Sequence, residues 1–263
     1  MLVFAALTPH SPLLLPSINR ERLKEVTATR EAMKQLAEEL YAVRPDTLVI
    51  LSSHVTMHED TFSINLHDPY NINLNEFGDL SEYRTFHPDL GLIDHLQRTM
   101  RQKAIPTTLN TDETLHYSTS VPLLLLTEHL PNVVIVPISY AGLSPKEHFT
   151  AGEILKEAIA DSTRRIAIIA SGDQSHAITS DSPAGFAKEG LQYDMQVQEF
   201  IKNNNPAGLL QMKPKLVQKA RECSYRSLLM LLGVLDKTNY WTKIHSYEAP
   251  FGVGYLVAHF EIG

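Results

Sequence analysis

The sequence predicts an α/β protein, a three-layer α/β/α sandwich over a largely parallel or mixed central sheet with a C-terminal β-hairpin. Three observations predict it. Short apolar runs rich in β-branched residues ("LVFAAL", "TLVILS", "NVVIVPIS", "RRIAIIAS") recur along the chain, as in strands covered on both faces. Amphipathic stretches of helical period separate them. The last stretch, "YWTKIHSYEAPFGVGYLVAHFEI", reads as two strands about a turn near Pro250–Gly252.

Residues 2–7 form the first buried strand. From Ile18 to Val43 the pattern is helical, with Leu23, Val26, Met33, Leu36 and Leu40 recurring among Glu, Lys and Arg. Arg44-Pro45-Asp46 breaks it, 47–52 is a second strand and 61–66 alternates as a third. Residues 67–88 keep neither period and are rich in Asn, Asp and Pro, which predicts a functional loop or a contact arm. Tyr70, Phe77, Tyr83 and Phe86 would there stack on a flat ring or bury against a second copy, and their apolar area favours the copy. A homodimer or higher homo-oligomer is therefore expected. A helix at 89–103, a short strand at 105–109, a loop at 110–120 and an apolar helix over 121–130 follow. Then come a strand at 132–139, a helix at 144–160 and a strand at 164–171. A loop from 172 leads to helices at 189–203, 205–212 and 221–235, then to the hairpin. No repeat, low-complexity run or linker interrupts 1–263, which predicts one domain.

Composition excludes several functions. The net charge is −7, with 23 basic against 30 acidic residues, and no basic stripe suits nucleic acid or an anionic membrane. A single cysteine, Cys223, rules out a disulfide framework and any cysteine-rich metal site, and reads as a packing residue. The opening "MLVFAALTPHSPLLLP" has no basic n-region and is interrupted by His10 and prolines, unlike a signal peptide or a membrane span. A cytoplasmic, reducing compartment is expected.

Histidine is over-represented, at 12 residues, and its placement is informative. "LVFAAL" runs into Thr8-Pro9-His10, "TLVILS" into Ser53-His54, and "RRIAIIAS" into Gly172-Asp173-Gln174-Ser175-His176. Ligands of such sheets bind beyond the carboxyl ends of the strands, so one rim should carry three imidazoles. Neutral imidazole is the commonest protein metal ligand, and a divalent ion also wants a carboxylate. Asp173, Glu59, Asp60, Asp112, Glu113 and Glu248 are near enough to strand ends to supply it, and Glu248 is conspicuous in an otherwise apolar and aromatic hairpin. His58, His67, His87, His95, His129, His148, His245 and His259 read as structural or solvated, with His95, His129 and His148 on helix surfaces.

Taken together, "TPHSP", "SSHV", "SGDQSHAITSDSPAGF", "ARECSYRSLLMLLG" and "YEAPFGVGYLVA" resemble the class III extradiol ring-cleavage dioxygenases, the LigB-like group, over nearly the whole chain. The resemblance implies Fe(II), or zinc or another divalent metal, held by His10, His54 and Glu248. It implies His176 as acid/base and His116 in "LHYSTSVPL" as a pocket residue, although Tyr117 stands where a small residue is expected. The substrates would be a small aromatic diol and dioxygen. Two imidazoles and a carboxylate on one face of Fe(II) leave positions open for both. A histidine near its own pKa can then take the second phenolic proton and return it. Arg84, Lys188 and Arg226 are the cations available to a substrate carboxylate. A more distant likeness, to Memo-like proteins, implies metal handling without ring cleavage, and metal-dependent hydrolysis is a third use of such a scaffold.

Overall fold

The computed structural model describes residues 1–53 and 58–263, so His54 lies outside the described residues. Its strands are β1 (Leu2–Thr8), β2 (Thr47–Ser52), β3 (Phe62–Asn65), β4 (Asn71–Ile72), β5 (Thr107–Asn110), β6 (Thr114–Leu115), β7 (Val134–Ser139), β8 (Ile166–Ser171), β9 (Tyr240–Glu248) and β10 (Tyr255–Ile262). The helices are α1 (Thr27–Val43), α2 (Leu90–Gln102), α3 (Tyr117–Leu126), α4 (Pro145–Ala160), α5 (Lys188–Lys202), α6 (Pro206–Leu210), α7 (Pro214–Ala220) and α8 (Tyr225–Val234).

Eight strands form the central sheet in the order β5-β3-β7-β2-β8-β1-β10-β9. The middle four, β7-β2-β8-β1, are mutually parallel, while β3 and β10 join them antiparallel. The sheet is mixed, as predicted. Alternate residues of the apolar runs enter opposite layers: Val49 and Leu51 pack with α2, α4 and α8, Leu48 and Ile50 with α1 and α3. That explains runs without polar interruption, because neither face meets water. α4 and α8 cross in backbone contact, since a Cβ on Gly152 would stand 2.0 Å from the Met230 carbonyl oxygen.

Residues 67–88 are not structureless. β4 pairs in parallel with β6, and Tyr70 bridges to Phe86. Tyr70 and Phe86 are buried in the α1/α3 layer with Ile72 and Leu74, so these side chains are absorbed by the chain's own core. Two other expectations are corrected. The helix foreseen from Ile18 begins at Thr27, after a 3-10 turn over Leu23–Val26, and Val26 at its N-cap has no side-chain oxygen to cap it. The helix foreseen over 221–235 is α8 alone, preceded by α7 and a left-handed turn at Arg221 (φ 55°).

His148, expected on the surface of α4, is fully buried. Its Nδ1 donates to the Ser144 carbonyl at 2.8 Å, and its Nε2 accepts the Ala141 N–H at 3.4 Å. Burial pushes its pKa down to about 4, so the folded protein keeps it neutral. Below pH 6.5 the unfolded chain binds a proton there that the folded chain refuses, so stability falls as the pH drops from about 6.5 to about 4. The full effect is about 3 kcal/mol. Urea titrations across this window should give a flatter pH dependence for His148→Gln than for the natural chain; parallel curves would place the sensitivity elsewhere.

Candidate metal centre

The parallel strands deliver their ends to one rim, and the residues that follow β1 and β8 meet there. The His10 backbone N–H donates to Asp173 Oδ1 at 2.9 Å. The His10 ring Nδ1 lies 3.0 Å from Ser171 Oγ, and that hydroxyl donates to the Ser118 carbonyl. A serine has one proton to give, so Ser171 must accept from His10 Nδ1–H. His10 therefore directs the Nε2 lone pair inward, the state a metal ligand needs.

The atom facing that lone pair is a thiol: Cys223 Sγ is 3.3 Å from His10 Nε2. The sequence had suggested only a packing role for it. Cys223 is held by Asp173, whose backbone N–H lies 3.2 Å from Sγ and whose carbonyl accepts the Cys223 N–H at 3.1 Å. Gly172 permits this approach, because a Cβ there would sit 2.4 Å from Ser224 Cα and 2.7 Å from the Cys223 carbonyl oxygen. Burial raises the Cys223 thiol well above its ordinary pKa and the Asp173 carboxyl to about 7. The His10 N–H acts against the shift at Asp173. A cation beside these groups would favour their charged forms.

His176 joins the group, with Nε2 4.0 Å from Asp173 Oδ2 and its side chain partly exposed. Its backbone N–H donates to the Ala220 carbonyl at 3.0 Å, which ties the loop after β8 to the end of α7. His116 caps α3: its Nδ1 lies 3.2 Å from the Ser118 N and 3.1 Å from the Ser118 Oγ. His116 and Tyr117 line a cleft of about 300 Å³ with Asn65, Asp112, Thr119 and Ser139. Tyr117 stands between cleft and rim, with ring centroids 5.6 Å from His10 and 4.2 Å from His116. The bulky residue noted in the sequence thus touches both imidazoles.

Glu248 is directed elsewhere. Its Oε1 accepts the Thr29 N–H at 2.7 Å and the Thr29 hydroxyl at 2.6 Å, in the first turn of α1. It supplies the cap that Val26 lacks, from the end of β9. The carboxylate in contact with His10 is Asp173, which sequence reasoning set behind Glu248. Two of the three cations named for a substrate carboxylate are engaged elsewhere. Arg84 donates to the Thr127 and Leu130 carbonyls, and Arg226 lies over the Tyr140 ring. Among the described residues, one group of three has metal-ligand atoms within 4.8 Å of one another, and it is Glu39, His245 and His259, away from this rim.

A mixed-sheet sandwich with imidazoles, a carboxylate and a thiol at its carboxyl rim is an α/β protein with its reactive groups where such sheets bind ligands. Comparison with known proteins is more specific. The chain matches LigB, the catalytic LigB subunit of aromatic ring-opening dioxygenase, over residues 4–258 and belongs to that family. It is 28% identical over 264 residues to protein CA_C1420 of Clostridium acetobutylicum, covering 97% of this chain but 56% of that protein. The chain thus spans about half the length of this curated relative. Its fold is similar to that of the uncharacterized protein JW3007 of Escherichia coli, with a TM-score of 0.69, 17% identity and 99% and 100% of the two chains covered. No helix of the described residues is long and apolar enough to cross a membrane.

Replacing Glu248 with Ala should cost about 1 kcal/mol of stability, the usual value of a helix cap, and leave bound metal unchanged. Chemical denaturation and metal analysis of purified Glu248→Ala read the two effects separately. Metal lost with stability intact would make Glu248 a ligand instead.

Proposed function

We propose that this rim holds a divalent metal, Fe(II) in the active protein, and opens the ring of a catechol-type substrate with dioxygen. The observation that carries the proposal is His10: its Nδ1 proton is fixed by Ser171 and its Nε2 lone pair faces a buried thiol. His10 and His54 would supply imidazole donors, and Cys223 takes the third place that the resemblance gave to Glu248. Imidazole and thiolate both suit Fe(II), so the donor set fits the metal. Bound there, the ion would supply a Lewis acid and an electron path between an aromatic diol and dioxygen.

The residues around it handle protons and shape. His176 takes the second phenolic proton, and Asp173, behind its Nε2, stabilises the resulting imidazolium. After the ring bond beside the diol is broken and both oxygen atoms are incorporated, His176 returns the proton. His116 would meet a substrate oxygen from the cleft side. Tyr117 and Phe77, edge to face at 5.3 Å, form an apolar wall for a flat ring.

A second reading is favoured by Cys223 and Tyr117. A thiol in contact with His10 and a tyrosine ring against it narrow the space a diol would need, which suits a metal-binding protein without ring cleavage.

Anaerobically purified protein, loaded with Fe(II) and given a panel of catechols, should yield the yellow ring-fission product. His176→Ala should keep its metal and lose about two to four orders of magnitude in turnover. His10→Ala and Cys223→Ser should lose metal affinity. If metal binds and depends on His10 and Cys223 but no catechol is opened, the second reading holds. Metal loss in His176→Ala would make that residue a ligand.

A further inference from the structure

Glu39, on the fourth turn of α1, meets two imidazoles from the C-terminal hairpin. Its Oε2 lies 3.1 Å from His245 Nε2 and 2.9 Å from His259 Nδ1. Its other oxygen, Oε1, is occupied by Lys243 Nζ at 2.8 Å and by Gln35 Nε2 at 3.5 Å. The three basic side chains are therefore divided: a lysine on one oxygen, two histidines on the other. His259 faces Lys243 across the hairpin ladder, while His245 is the extra residue of a β-bulge, since Ile244 pairs with Ala258 and Ser246 with Val257. Bulges re-aim side chains and are frequent at functional positions.

The protons make this arrangement more than a salt bridge. Gln35 gives its amide nitrogen to Glu39, so its oxygen is the atom 3.2 Å from His245 Nδ1. A carboxamide oxygen only accepts, so His245 carries its proton on Nδ1. The neutral ring then aims the Nε2 lone pair at a carboxylate oxygen 3.1 Å away, and a positive species must stand between them. His245 is almost fully buried, with its side chain 1% exposed, and outer-shell anchoring of the distal nitrogen is the usual support of a metal-ligating histidine. Tetrahedral zinc, with bonds of about 2.0–2.2 Å, spaces its ligand atoms about 3.3–3.6 Å apart, a few tenths of an ångström wider than the separations here.

We infer that Glu39, His245 and His259 form a second divalent-cation site, of the zinc class, that pins α1 to the C-terminal hairpin. Two imidazoles and one carboxylate oxygen leave a fourth position for water, and Lys243 stays on the outer oxygen. The site shares no residue with the rim at His10, and it stands whether or not that rim opens catechols.

The test is zinc binding to the full chain after chelator treatment, by calorimetry with elemental analysis. The natural chain should take two equivalents. Glu39→Gln and His259→Gln should each take one, as should His10→Ala, and Glu39→Gln/His10→Ala none. Gln35→Ala should keep the stoichiometry but weaken the second site about tenfold or more, as loss of an outer-shell partner does. Because Glu39→Gln also loosens α1, the thermal midpoint of His10→Ala is a second readout: zinc should raise it. Zinc uptake equal in Glu39→Gln and the natural chain, or a His10→Ala midpoint indifferent to zinc, would each overturn the proposal and leave Glu39 and His245 a hydrogen-bonded pair; a single equivalent in the natural chain that Glu39→Gln loses supports this site and removes zinc from the rim.

Discussion

A backbone amide donating to a buried carboxylate, His10 N–H to Asp173 Oδ1, joins segments 163 residues apart and brings the ends of β1 and β8 to one point. Asp173 then holds Cys223 through both of its own backbone groups, which adds the turn before α8. An unpaired carboxylate in such a place would be expensive, and burial does raise Asp173 toward about 7. The amide offsets part of that cost. What remains unfavourable for a bare anion is favourable for an anion beside a cation, so the burial of Asp173 supports the metal proposed for this rim.

Three carboxylates show how a chain separates structural from chemical use of one kind of group. Glu248 sits at the N-terminus of α1, where backbone N–H groups lack partners and the helix dipole favours a negative charge. Asp173 sits where no helix end offers that compensation; it has one amide and a nearby imidazole. Glu39, further along α1, is compensated by side chains alone. The three differ in what neutralises them, and that decides what each is available to bind.

The layers were legible in the sequence because strands buried on both faces must be apolar throughout, and "TLVILS" and "RRIAIIAS" show it directly. The rim was legible as a rule of position: His10 and His176 follow strands whose parallel order fixes where their ends emerge. What stayed hidden came from distant partners. The start of α1 depends on a glutamate 219 residues away, so no local N-cap signal marked it. α3 starts at a histidine cap, which lies outside the usual Ser, Thr, Asp and Asn set. The role of Cys223 was hidden because its partner is 213 residues distant; its being the only thiol was the one available signal. His148 read as a surface histidine and His245 as a structural or solvated one, since a helix or strand pattern does not show which polar side chains find partners inside.

Ser118 touches the partners of both imidazoles. Its carbonyl takes the Ser171 hydroxyl proton, which obliges Ser171 to accept from His10 Nδ1–H and turns the His10 Nε2 lone pair toward Cys223. Its N–H and its hydroxyl oxygen both face His116 Nδ1, at 3.2 and 3.1 Å, so one residue in the first turn of α3 orients both rings, with Tyr117 between them. Its own hydroxyl donates to the Ser53 carbonyl, which ties this turn to the end of β2. The orientation of the two imidazoles is thus imposed by the α3 backbone, and it is this preset geometry that the proposed metal at the rim would draw on.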